Sequence, residues 1–179
     1  MIKKFYAGIG SRETPLDVQN SIIKIAQQLG EQGYTLRTGG AMGADTAFMA
    51  GAISGDFPIK VYLPSAWFQG LRHNPKNGFF DSSTASTWNE ALALVDKYHP
   101  VPEKLSDFAR RLMARNAYQV LSTTLKDPVD FVICWTKGGK LVGGTAQAMK
   151  IAMDFGVPIY NLALVDDVKR LHKEVLNDD

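Results

Sequence analysis

The sequence predicts an α/β protein built on a doubly wound parallel sheet of about five strands, in the order 3-2-1-4-5, with helices on both faces. Three observations lead there. Five short runs rich in β-branched and aromatic residues alternate with helical patterns. Those runs are apolar almost throughout, as strands covered on both faces are. Three of them end in glycines and small polar residues just before a helix, the punctuation of strand-to-helix turns.

The strands are expected at residues 4–9, 34–38, 59–63, 129–135 and 157–161. The first helix, 15–31, opens with Thr14 as N-cap and Pro15 in its first turn, and runs out at Gly30 and Gly33. The second is expected at 45–54 and the third at 106–124. In the fourth, 145–155, Gln147, Lys150 and Asp154 form the single polar stripe of a helix lying flat on the sheet. A last amphipathic helix covers 165–176. Residues 64–104 break the alternation with half of the eight prolines and with Trp67, Phe68, His73, Phe79, Phe80, Trp88, Tyr98 and His99. They read as an irregular insert within one domain spanning 1–179, with a short helix signalled by Thr87 and Glu90 in capping-box spacing.

A chain of 179 residues, 45% hydrophobic and 21% charged, suits one domain with a full core. Twenty Lys and Arg against eighteen Asp and Glu leave a net charge of +2 with no basic arm, so bulk charge does not argue for a nucleic-acid partner. The lone Cys134 excludes an internal disulfide and a thiolate metal cluster, and suits the reducing cytoplasm. The first residues, MIKKFYAGIG, fit neither a signal peptide nor a membrane span. His73, His99 and His172 lack metal-ligand spacing, and no Ser-His-Asp or Cys-His arrangement is evident. No metal and no cofactor is therefore expected.

The candidate chemistry lies in three junctions: GIGSRETP at 8–15, TGGAMGAD at 38–45 and GGKLVGGT at 138–145. In the order 3-2-1-4-5 they follow neighbouring strands, so they would face one crevice outside the carboxyl ends of the sheet. Helix N-termini offer free N–H groups and a positive dipole end, and glycine lets the backbone approach an anion. The expected ligand residues are Gly8, Gly10, Ser11 and Arg12, then Gly39, Gly40, Gly43 and Asp45, then Gly143, Gly144 and Thr145. The first loop lacks the third glycine of the dinucleotide fingerprint, and no loop carries a Walker lysine, so neither ordinary NAD binding nor P-loop ATP hydrolysis is supported. The same glycines would also serve tight turns alone. Asp45 reads as a cap or dipole partner and Glu13 as support for the first helix.

The third helix adds Arg115 and Asn116. Leu105, Phe108, Ala109, Leu112, Met113, Ala117 and Val120 define its apolar face; Asn116 falls inside that face and Arg115 at its border, where a guanidinium could grip a phosphate or carboxylate. Arg110 and Arg111 lie elsewhere on the helix, on a solvated or oligomer-facing surface.

These residues resemble the DprA/Smf-like and lonely-guy-like Rossmann-like superfamily called SLOG. GSRETP resembles the first loop of DNA-processing protein A, TGGAMGAD its second loop, ARN at 114–116 its Arg-Asn helix motif, and GGTAQAMKIAMDFG its GSGT-containing helix. The likeness runs over roughly residues 4–162, apart from 65–104, and the short chain resembles standalone members carried by bacteriophages. The resemblance implies a Rossmann-like homodimer that binds a nucleotide or nucleotide-derived phosphate. Single-stranded DNA is the alternative partner, running past Arg12, Arg72, Lys76 and Arg115, with Trp67, Phe68 or Phe79 stacking on bases. A second alternative is a lonely-guy-like nucleotide N-glycosidase. Arg115 matches that group's arginine, but the position of its glutamate holds Ala148, so a carboxylate from Glu13, Asp45, Asp81 or Glu90 would have to replace it.

Overall fold

In the computed structural model, which describes residues 2–177, the chain alternates as read. β1 (Lys4–Gly10), α1 (Leu16–Glu31), β2 (Tyr34–Thr38), α2 (Ala44–Ser54) and β3 (Ile59–Leu63) form the first half. The insert follows, with a hairpin of β4 (Trp67–Phe68) and β5 (Leu71–Arg72), then β6 (Phe79–Asp81) and α3 (Trp88–Tyr98). α4 (Asp107–Leu121), β7 (Phe131–Trp135), α5 (Thr145–Asp154), β8 (Ile159–Asn161) and α6 (Val165–Leu171) complete it, with a π-helical turn over His172–Leu176.

The sheet is parallel throughout, in the order β6-β3-β2-β1-β7-β8. Six strands rather than five make it, because the insert adds β6 at the edge beside β3. The fold is Rossmann-like. Side-chain alternation along each strand sorts residues onto the two faces. Tyr6 and Ile133 pack with Ile22, Leu29, Phe48 and Leu171 beneath α1, α2 and α6. Ala7, Ile9, Val132 and Cys134 pack with Val120 and Ile151 beneath α4 and α5. Each fully buried Leu, Ile or Phe contributes about 1.5–3 kcal/mol relative to exposure, so both faces are held by the same hydrophobic term.

Several local expectations are corrected. α1 starts at Leu16 without a side-chain cap, because the Thr14 hydroxyl donates to the Ser11 carbonyl (2.6 Å) instead. The insert helix follows Thr87, but no capping box forms: the Thr87 hydroxyl donates to the Thr123 carbonyl and also meets the Tyr118 hydroxyl (2.9 Å). α4 starts after Ser106, whose side chain accepts from the Ala109 N–H, and ends at Leu121 rather than 124, where Ser122 turns to a positive φ of 58°. The polar stripe of α5 faces protein. Gln147 donates to the Met113 carbonyl, Lys150 to the Tyr98 carbonyl, and Asp154 accepts from the Tyr98 hydroxyl.

Candidate functional site

The loops after β1, β2 and β7 meet as the strand order requires. The Ser11 N–H donates to the Trp135 carbonyl (3.0 Å), joining the first loop to β7. The Ser11 carbonyl in turn accepts from the N–H of Ala44 (3.4 Å), joining it to the start of α2. Between these loops and α4 lies a cleft of about 990 Å³. Its lining includes Gly10, Ser11, Arg12, Asp45, Arg115, Asn116, Gly143, Gly144 and Thr145. Thus nine residues singled out from sequence gather on one cavity.

The remaining four glycines stand behind the surface and shape it. A side chain at Gly8 would meet the Phe48 ring at 2.5 Å, and one at Gly39 would meet Arg115 and Gln119. Gly40 packs against Leu71 and Val61. Gly43 has φ 85° at the N-cap of α2 and lies against the backbone of Ser11 and Arg12. Their contribution is close approach between elements, not a lining surface.

Arg115 departs from its expected border position. It is 4% exposed, and its guanidinium donates to the Gly39 carbonyl, the Tyr62 carbonyl (2.9 Å) and the Asn116 side-chain oxygen (3.0 Å). Its bonds stitch β2, β3 and α4 together beneath the cleft. Asn116 continues the chain by donating to the Gly144 carbonyl (2.8 Å), which fixes the entry to α5. Burial lowers the Arg115 pKa to about 10, opposed by the nearby Asp45 carboxylate. Asp45 is buried as well; desolvation raises its pKa to about 6, while Arg115 and the N–H groups of Ala41, Gly39 and Gly10 act the other way. At neutral pH the floor of the cleft therefore holds one buried cation and one buried anion, nearly balanced.

The exposed charges are at the mouth, where Arg12, Glu13 and Lys137 line the opening. The N-terminus of α5 also opens there, with Gly144 in the N-cap position and no side-chain cap. The opposite wall is apolar. Phe108, Ala109, Leu112 and Met113, from the first turns of α4, join Phe68 and Val142. The apolar face read on that helix is thus divided, its first half lining the cleft and its second half entering the core.

The insert closes one side. The β4–β5 hairpin places Trp67, 56% exposed, at the rim, with the Arg72 guanidinium 3.9 Å above its ring. The Gln69 side chain accepts from the Met42 N–H (3.0 Å), fastening the hairpin tip to the second loop. Lys76 and Phe79 lie outside the lining; Phe79 packs against the core, and Lys76 stands exposed on a 3-10 turn. Of the carboxylates considered, Glu13 and Asp45 line the cleft. Asp81 instead caps Ser83, Glu90 lies outside, and Ala148 is fully buried.

Sequence reading missed Gln119, Thr136 and Lys137, all in the lining. Gln119 carried a usable signal, since it follows Arg115 by four residues and so shares its face of the helix. Among the described residues no cluster of His, Cys, Asp and Glu could hold a metal ion, and no helix is long and apolar enough to cross a membrane.

A parallel sheet of this order, with its glycine-rich loops converging at the carboxyl ends, is a Rossmann-like fold of the kind that DprA has. No family model and no curated protein matches the sequence. Among solved structures, DNA processing protein A from Helicobacter pylori, described for its single-stranded DNA binding mode, superposes with a TM-score of 0.56 at 18% identity. That match covers 97% of this chain and 73% of the other. DprA from Streptococcus pneumoniae gives 0.56 at 17% identity, covering 97% of this chain and 57% of that one. The Moco carrier protein from Chlamydomonas reinhardtii gives 0.55 at 15% identity, over 96% and 84%. At these identities the likeness is one of fold.

Proposed function

We propose that the protein binds a nucleotide or nucleotide-derived phosphate in the cleft. The observation that carries this reading is the convergence of three loops from neighbouring strands, together with the open N-terminus of α5, on one cavity of about 990 Å³. A cavity of that size suits a whole nucleotide, as small-molecule sites run to roughly 300–1,000 Å³. The phosphate end belongs at the mouth, where Arg12, Lys137 and the first N–H groups of α5 attract an anion. The neutral part extends along the apolar wall of α4. A homodimer in the cytoplasm is part of the same proposal, resting on the resemblance and on exposed apolar residues such as Leu16 and Val165. Isothermal calorimetry with mono-, di- and cyclic nucleotides and ADP-ribose tests the reading. Heat from at least one nucleotide, abolished by Arg12→Ala with Lys137→Ala, is expected; flat titrations throughout with folded protein would overturn it.

Single-stranded DNA is a second reading, favoured by the exposed Trp67 stacked under Arg72 at the rim. A third, N-glycosidic cleavage, has less support. Glu13 and Asp45 are the carboxylates at hand, and Asp45 is engaged with the loop backbone. Chromatography of nucleoside monophosphates after incubation should show no freed base, and base release would promote this reading.

A further inference from the structure

We infer that Gln119 reads the nucleobase edge of the ligand, a role that rests on the nucleotide reading above. Gln119 is 2% exposed, lines the cleft, and its amide has no hydrogen-bond partner among the described residues. Burying an amide without partners is unfavourable by roughly 1–3 kcal/mol, and native interiors rarely leave one so. Other orphaned polar atoms, such as the Gln147 Oε1 and the Thr38 Oγ1, are sealed from solvent. The Gln119 amide is not sealed; it borders the cleft beside Gly39, next to the buried Arg115.

The charge around it selects the chemistry. Arg115 commits its Nη1 to two carbonyls and its Nε to Asn116, and Asp45 adds an anion to the same floor. A phosphate placed there would meet the Asp45 carboxylate, and the Arg115 cation beside it is already tied through Nη1 and Nε. A neutral group meets no such penalty. A primary amide presents one donor beside one acceptor, the complement of a nucleobase edge that sets an acceptor beside a donor, and glutamine makes this paired contact with adenine. The apolar wall of Phe68, Leu112 and Met113 then covers the flat faces of the ring. Base at the floor and phosphate at the mouth follow from the same distribution of charge.

The test compares wild type, Gln119→Met and Gln119→Leu in the full chain by calorimetry, using the four nucleoside monophosphates, ribose 5-phosphate and a labelled oligothymidine. The best nucleotide should bind wild type about tenfold more tightly than ribose 5-phosphate. Both variants should lose that margin, keep ribose 5-phosphate binding within about twofold, and melt no lower than wild type, since an unpaired amide has been replaced by an apolar group. Loss of oligothymidine binding in the variants would support the same base contact with DNA as its source. Equal binding of nucleotides and ribose 5-phosphate by wild type would overturn the role of Gln119 while leaving a phosphate ligand in place. Variants that bind nucleotides normally, or that melt lower and lose ribose 5-phosphate as well, would also overturn it. No binding of any probe would overturn both proposals together.

Discussion

Asp45 and Arg115 lie on one floor without a direct ion pair, and each is held by backbone groups as well as by the other's charge. The carboxyl's raised pKa has a definite consequence for stability. The unfolded chain titrates Asp45 near its ordinary value of 3.8 and the folded one near about 6. Between those values the folded state holds the proton more firmly. Its contribution is therefore fully present below pH 3.8, falls as pH rises through the window, and is lost above about 6. The fall amounts to roughly 3 kcal/mol, at about 1.4 kcal/mol per pH unit. Urea midpoints across that window should decline for wild type and stay level for Asp45→Asn; parallel curves would show that Asp45 titrates normally. Arg115→Lys should be destabilising by ~2–4 kcal/mol, because an ammonium cannot keep the planar fork that serves Gly39, Tyr62 and Asn116. A melt within a degree or so of wild type would contradict that account.

At the scale of elements, the loops rather than the strands fix the shape of the cleft, and their glycines divide into two kinds. Gly43 combines φ 85° with a packed position: a Cβ would come within 2.6 Å of the Ser11 carbonyl oxygen and 2.8 Å of the Arg12 Cα, both backbone. Gly143 has φ 69° but open space around it. Gly43→Ala should therefore be destabilising by ~3 kcal/mol or more, from strain and overpacking together, and Gly143→Ala by about 1 kcal/mol from conformation alone. Denaturant titration distinguishes them, and equal effects would mean that the loops yield. The same division explains what the sequence could reveal. Apolar runs and glycine punctuation made five strands and their junctions legible because burial on both faces leaves a strong pattern. β6, at three residues, is too short to show any period. The β4–β5 hairpin turns through Gln69 and Gly70, both at positive φ, without an Asn-Gly or Asp-Gly signal. Thr14 and Thr87 looked like caps, yet a carbonyl of its own loop claimed the first hydroxyl and a distant carbonyl the second. The α5 stripe marked a helix lying flat on the sheet, but that α3 and α4 supply its partners only the fold of the insert could reveal. In the cleft, nine of the loop and helix residues expected there line it, whereas Gln119 went unnoticed because a single glutamine within a helix is usually a surface residue.

For the whole molecule, the distribution of charge separates a small-ligand site from a DNA path. A net charge of +2 leaves little general attraction for a polyanion. The exposed cations that line the cleft or stack on its rim are Arg12, Lys137 and Arg72, with Glu13 among them. Arg115 is already engaged, and Lys76 lies away from the lining. Each phosphate neutralised on a single strand contributes about −0.7 to the slope of log K against log salt. Three contacts thus give a slope of about −2 at most for one copy of the chain. Fluorescence anisotropy with labelled oligothymidine between roughly 50 and 200 mM salt should show weak binding with a slope no steeper than that. A homodimer that joined two clefts into one path would double the contacts and bring the slope to about −4. Light scattering on the same samples reads the mass directly. A steep slope accompanied by the dimer mass would promote the DNA reading over the small-ligand one, because only a joined surface supplies enough cations. A shallow slope at either mass, with mononucleotide heat in calorimetry, leaves the cleft as a site for a single nucleotide.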